Sequence, residues 1–142
     1  MGWEGAFSIE ELLQDTLTAE LPRPPEDNGI YVVTEFPWTE EPSASARVLY
    51  VGTTTGRKPR FRTRIGDLIA DMFGFYGEKT GHHSGGQSLN EYCRAHEIHP
   101  LKLFIGWLRD VPNRRDYECH YFDLLKPLLN KKKPSDSKGL GN

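Results

Sequence analysis

The chain has 142 residues, of which 37% are hydrophobic, 11% aromatic and 27% charged, a balance typical of one folded domain rather than a disordered chain. No apolar run reaches the roughly 20 residues that span a bilayer, so we expect no membrane partner. The N-terminus lacks a signal-peptide pattern, and two cysteines are too few for a disulfide framework. We therefore expect a cytoplasmic protein. The net charge of −2 hides an asymmetry, because residues 1–46 carry ten acids against Arg23 alone, whereas residues 47–142 carry seventeen bases and ten acids. The second part therefore predicts a basic working surface.

The first predicted element is a helix over about 8–20, which opens with the capping-box pair Ser8 and Glu11. A proline-rich linker ends it. Two strands, at 29–34 and 47–52, follow from their β-branched and aromatic residues, and we expect them to pair antiparallel.

Helical periodicity then predicts a helix within 60–75, whose apolar stripe consists of Phe61, Ile65, Leu68, Ile69 and Met72. A second capping-box pair, Ser88 and Glu91, predicts a short helix to about residue 96. A third strand over 101–108 precedes a helix over 114–125, with four residues expected to face the core: Tyr117, Tyr121, Leu124 and Leu128.

This order of elements predicts an α/β (α+β) fold, with a small three-stranded antiparallel or mixed sheet flanked by helices. We expect residues 1–27 to form the N-terminal helix and linker, 28–133 the main domain and 134–142 a flexible tail.

Short motifs narrow the function. The two strands carry Gly29-Ile30-Tyr31 and Tyr50-Val51-Gly52, and several arginines follow the second strand. Glu118 lies on the last predicted helix, and a proline and then Asn130 follow that helix. Over about residues 28–133 this set resembles the GIY-YIG nuclease superfamily, and its glutamate-to-asparagine step resembles the branch that contains the nuclease domain of bacterial excision-repair proteins. The resemblance implies the GIY-YIG nuclease fold and metal-dependent hydrolysis of DNA phosphodiester bonds.

The residue types suit that chemistry, which needs a positioned water, a proton acceptor and a cation for the phosphate. Glu118 supplies one carboxylate for Mg²⁺ or Mn²⁺, which keeps most of its ligands as water and substrate phosphate. The resemblance implies that Tyr31 and Tyr50 face each other and handle the proton, and either could be the base. It also implies that Asn130 orients the site.

For the phosphate-binding arginine we prefer Arg64, in an apolar-x-x-Arg-apolar string, over Arg60. Many family members carry a histidine or similar polar residue one helical turn after this arginine, where this chain has Leu68. A histidine of the following loop, His83 or its neighbour His82, is the expected substitute.

DNA is the expected partner, because five bases fall within residues 57–64 beside the candidate phosphate site. The residues expected to contact nucleic acid are Gly52, Arg57, Lys58, Arg60, Arg62, His82 and Lys131. We expect target choice to come from the loops 35–46 and 53–60, from a homodimer or from a targeting partner protein.

Plainer interpretations compete with each motif. The two tyrosines could be sheet core residues, Glu118 a solvated charge beside Arg114 or Arg115, and Asn130 a turn residue. The alternative function is a nucleic-acid-binding or partner-binding protein of the same fold that cuts poorly or not at all. A zinc site is the competing constellation, with five candidate ligands: Cys93, His96, His99, Cys119 and His120.

Overall fold

The computed structural model describes residues 2–18, 24–75, 84–109 and 111–130. In this part of the chain, four strands and four helices occur in the order β1 (Trp3–Ser8), α1 (Ile9–Thr18), β2 (Gly29–Thr34), β3 (Val48–Thr53), α2 (Phe61–Met72), α3 (Ser84–His96), β4 (Phe104–Arg109) and α4 (Arg114–Leu125). Short 3₁₀ turns lie at Ala44–Ala46 and Pro100–Lys102. The mixture of helices and strands confirms the predicted α+β class.

The sheet has four strands in the order β1-β4-β2-β3, and every neighbouring pair is antiparallel. The prediction of three strands was wrong, because Trp3–Ser8 forms a strand that pairs with β4. The segment contains Glu4 and Gly5, two residue types that are uncommon in strands, so local sequence does not predict a strand here. Its strand conformation depends on pairing with β4. Phe7 lies opposite Ile105 and packs on Trp107, with ring centroids 5.1 Å apart.

Strand β2 lies between β4 and β3, and all six of its residues are buried. Its antiparallel pairing with β3 confirms the predicted strand pair. A register shift leaves Leu49 without an opposite residue, since Val33 pairs with Tyr50 and Thr34 with Val48. This bulge lies at the edge strand, where such irregularities are common.

The sheet separates two hydrophobic clusters. One face contacts the apolar sides of α1, α2 and α3 and includes Ile9, Tyr31, Phe61, Leu89 and Trp107. The other face contacts α4 and includes Ile30, Val32, Trp38, Val51 and Leu125. None of the helices in the described ranges has both the length and the apolar character needed to cross a bilayer.

Helix ends show where local pattern and packing disagree. The first capping box is confirmed, because the Glu11 N–H donates to Ser8 Oγ and the Ser8 N–H donates to Glu11 Oε1, both at 3.0 Å. The second was wrong: α3 begins at Ser84, so Ser88 and Glu91 lie inside the helix. The first turn contains Gly85 and Gly86, and their close packing against β3 and α2 outweighs the poor helix propensity of glycine.

Two further expectations need correction. Leu124 and Leu128 are 57% and 59% exposed, because α4 turns Tyr117 and Tyr121 toward the sheet instead. Strand β4 begins at Phe104 rather than at residue 101, since the preceding residues form the 3₁₀ turn.

Candidate functional site

The two motif tyrosines lie on the same face of the sheet. Tyr31 is directly opposite Gly52 and Tyr50 is opposite Val33, so the two rings are diagonal neighbours with centroids 6.3 Å apart. A Cβ at position 52 would lie 2.5 Å from Cζ of Tyr31. Gly52 therefore makes room for the Tyr31 ring, and the two tripeptide motifs pack into one unit.

Helix α3 closes over the second tyrosine. A Cβ at Gly85 would lie 2.4 Å from Cζ of Tyr50, and a Cβ at Gly86 would lie 2.7 Å from the Leu68 carbonyl oxygen. The two glycines let α3 approach both β3 and α2. Sequence reasoning missed this role, although two adjacent glycines at the start of a helical pattern are a signal for close packing.

Of the two candidate arginines, the structure brings Arg64 to the tyrosines. Arg64, on α2, hydrogen-bonds Tyr31 and interacts electrostatically with both phenols. The side chain of Arg60 is exposed at the beginning of α2. Leu68, one turn after Arg64, is fully buried in the core.

Glu118 lies on α4, which packs on the opposite face of the sheet from α2. Burial raises its pKa to about 7, against the opposing attraction of Arg115. The carboxyl group borders a cleft of about 270 Å³, whose lining comes from the end of β3, the loop after it and the first turns of α4: Thr53, Thr54, Thr55, Gly56, Arg114, Arg115 and Glu118.

The environment keeps both phenols protonated. Burial is the main cause that raises the pKa of Tyr31, and the charge of Tyr50 adds to it, while Arg64 opposes it. The pKa of Tyr50 is raised first by burial and then by the negative charge of Glu118. Tyr31 is 1% exposed, whereas Tyr50 is only partly buried, so Tyr50 is the more accessible of the two residues.

Asn130 binds the backbone of β3. Its Oδ1 accepts from the Val51 N–H at 3.0 Å, and its Nδ2 donates to the Val51 carbonyl at 2.8 Å. The N–H groups of the two preceding leucines donate to Val48 and Leu49. The side chain therefore continues the pairing of this edge strand at Val51, between Tyr50 and Gly52, which holds the second motif in place.

The basic residues after β3 divide into two groups. Arg57, Lys58 and Arg60 are exposed, and within the described ranges their side chains form no ion pair or hydrogen bond. Arg62 instead donates to the Pro24 carbonyl at 2.9 Å and forms a 3.0 Å ion pair with Glu26. The first group is thus available to an anionic partner.

His82, His83 and Lys131 lie outside the described residues, as does the predicted tail 134–142.

The candidate zinc ligands do not come together. All five lie within the described residues, where no group of three or more His, Cys, Asp or Glu side chains is arranged to hold a metal. His96 is engaged through Nδ1 with the Tyr92 carbonyl, and His99 accepts from the Leu101 N–H. Cys93 is buried in the core, which raises the pKa of its thiol to about 11.

Glu118 nevertheless has the donor chemistry for a hard divalent ion. Mg²⁺ and Mn²⁺ prefer oxygen ligands, and Mg²⁺ is commonly held by one or two carboxylates together with water and substrate phosphate. A half-buried carboxylate at the wall of an open cleft fits that mode of binding.

Two residues that sequence reasoning did not assign to the site connect its parts. Arg114, on α4, donates to the Thr54 carbonyl and Thr54 Oγ1, both at 3.0 Å, and to the Gly56 carbonyl. Asn28 binds the loop backbone at Lys58 and Arg60. The available signals were the position of Arg114 one turn before Glu118 and that of Asn28 directly before the first motif.

Comparison with protein-family models, with curated proteins and with solved structures found no match to this chain.

Proposed function

We propose that this protein is a Mg²⁺-dependent DNA endonuclease of the GIY-YIG type. The observation that supports the proposal is the electrostatic coupling of four side chains from four different elements. The charges of Arg64 and Glu118 both act on Tyr31 and Tyr50, although the four residues are far apart in the sequence. A phenol can transfer protons, a guanidinium can bind phosphate and a carboxylate can hold a metal ion, and these are functions that phosphodiester hydrolysis uses.

Arg64 is the residue proposed to bind the phosphate. A guanidinium remains charged at all relevant pH values and has five N–H donors, so the hydrogen bond to Tyr31 leaves others for phosphate oxygens. Such a cation stabilises the charge that accumulates on phosphorus-bound oxygens in the transition state. Tyr31, which is buried and hydrogen-bonded to Arg64, is proposed as the positioning residue that holds the guanidinium.

Tyr50 is the tyrosine proposed to handle the proton. It is the more exposed of the two phenols, and its raised pKa keeps it protonated at neutral pH. A neutral phenol accepts a proton from water on its oxygen while it donates its own, so Tyr50 serves as a relay rather than as a permanent base.

Glu118 is the proposed metal ligand. When bound, Mg²⁺ or Mn²⁺ would polarise the phosphate and acidify bound water. The carboxylate has to be ionised to bind the cation, and the raised pKa of Glu118 makes this step sensitive to pH near neutrality.

Plasmid nicking tests the proposal. Supercoiled DNA is incubated with the parent, with Glu118→Gln and with the control Glu91→Gln, which alters an exposed glutamate on α3, in Mg²⁺ or in chelator. We expect Mg²⁺-dependent nicking by the parent and the control, and loss of nicking in Glu118→Gln. Nicking that survives either the chelator or the Glu118 substitution would refute the proposed mechanism.

A second function is favoured by one observation. Leu68 occupies the position of the family's usual polar residue and is fully buried, so α2 does not supply that group. A protein of this kind would bind nucleic acid and cut poorly. Metal-independent DNA binding by the folded parent without nicking is the result that would select this alternative.

A further inference from the structure

The backbone of the basic loop, residues 54–60, is held from two sides. On one side, Asn28 Nδ2 donates to the Lys58 carbonyl at 2.9 Å and to the Arg57 carbonyl at 3.5 Å, while Asn28 Oδ1 accepts from the Arg60 N–H at 3.0 Å. The Asp27 carbonyl accepts from the same Arg60 N–H at 3.1 Å. The residues just before β2 therefore fix the far half of the loop.

On the other side, Arg114 fixes the near half. Its guanidinium binds the carbonyls of Thr54 and Gly56 and the Thr54 hydroxyl oxygen. That hydroxyl oxygen also accepts from the Gly29 N–H at 3.1 Å, and Thr54 is only 1% exposed. Arg114 thus connects the loop to the helix that carries Glu118.

The fixed backbone contrasts with the free side chains. The three cations of the basic loop, Arg57, Lys58 and Arg60, are exposed, and among the described residues none of them pairs with an acid. The three cations lie within four consecutive residues, and arginine and lysine side chains are long and flexible. One strand of a DNA duplex carries one negative charge per nucleotide, so such a loop can neutralise up to three phosphates.

We propose that the basic loop is a preordered strap for the sugar-phosphate backbone of one DNA strand, and that Asn28 and Arg114 are the positioning residues that hold it against the Glu118 helix. This inference rests on the proposed function, because it names the part of the substrate that the same site contacts. A loop that is already ordered loses little conformational entropy when it binds. Backbone contacts of this kind set register and affinity without reading base sequence.

The matched substitutions separate charge from order. The triple variant Arg57→Gln, Lys58→Gln, Arg60→Gln removes the cations and keeps the loop backbone. Asn28→Ala and Arg114→Met release the backbone and keep the three cations. Arg114→Lys retains the positive charge but lacks the planar fork that binds two carbonyls. Arg94→Met, at an exposed position on α3, is the control.

DNA binding is measured in chelator by the anisotropy of a fluorescent duplex over a range of salt concentrations. For the triple variant we expect the negative slope of log K against log salt to become shallower by about 2.7, or 0.9 for each lost phosphate contact. For Asn28→Ala, Arg114→Met and Arg114→Lys we expect about tenfold weaker binding with the slope unchanged, the equivalent of one loop residue ordered on binding. Arg94→Met should bind as the parent does.

Limited trypsin digestion reports the order of the loop without DNA. We expect cleavage after Arg57 to accelerate about tenfold in the three releasing variants, compared without urea, where the urea unfolding curve of each variant shows it to be folded. Parent-like DNA affinity in Asn28→Ala and Arg114→Met would overturn the proposal. Parent-like affinity in Arg114→Lys would also overturn it, because the positive charge at position 114 would then be sufficient.

These readouts do not depend on catalysis. If the salt slope changes as expected in the triple variant but the parent does not nick plasmid, the nuclease proposal is refuted and the strap proposal stands. A parent that nicks plasmid while the triple variant keeps the parental slope would refute the strap and leave the nuclease.

Discussion

Glu118→Gln is expected to stabilise the protein in a pH-dependent manner. Burial raises the pKa of Glu118 from 4.5 to about 7 in the folded chain. Between these two values the unfolded chain has released the proton while the folded chain retains it, so rising pH favours the unfolded state. The folded state is therefore free of this penalty below about pH 4.5, and it carries the full penalty once the pH has passed about 7.

The pKa difference sets the size of the effect. About 2.5 pH units at 1.36 kcal/mol each give an upper limit of about 3 kcal/mol for the free energy of unfolding. Glutamine has nearly the same shape as glutamate and no charge, so the variant escapes the penalty. We expect equal stability of variant and parent near pH 4.5, and a variant more stable by up to about 3 kcal/mol above pH 7.

Urea unfolding in chelator, repeated from about pH 5 to pH 8, measures this difference. Glu91→Gln, at an exposed position on α3, is the control and should follow the parent at every pH. The same titration bears on activity, since metal binding and nicking should rise with pH through about 7. A stability difference between Glu118→Gln and the parent that does not change with pH would refute the reasoning.

Other substitutions and ligands give further predictions. Asn130→Ala removes two hydrogen bonds to the β3 backbone and should lower the free energy of unfolding in urea by about 2 kcal/mol; an unchanged value would contradict its role at the strand edge. Gly52→Ala places a Cβ 2.5 Å from Tyr31 Cζ and should cost about 1–3 kcal/mol in thermal unfolding, whereas Gly66→Ala, with open space on α2, should be neutral or stabilising by up to about 1 kcal/mol. Mg²⁺ at about ten times its Kd should stabilise the parent by about 1.4 kcal/mol and leave Glu118→Gln unshifted in the same assay; equal shifts would place the metal elsewhere.

The predictable part of the fold was the part that local pattern controls. The β2–β3 pair, the stripe of α2 and the cap at Ser8 and Glu11 each follow from neighbouring residues, and the structure confirms them. Strand β1 could not be predicted in this way, because its pairing partner β4 lies about a hundred residues away. The start of α3 was missed because packing against β3 and α2 compensates for two glycines in its first turn.

For the candidate site, the residue types and their order can be read from the amino-acid chain: two tyrosines in strand motifs, a basic run, a helix glutamate and a later asparagine. Which of these residues come together depends on the packing of the elements. It brought Arg64 rather than Arg60 to the tyrosines, directed Arg62 to Glu26 and used Asn130 as a backbone clamp. Periodicity predicts which face of an element is apolar, but distances between elements depend on how the whole sheet and its helices pack, and no local pattern contains them.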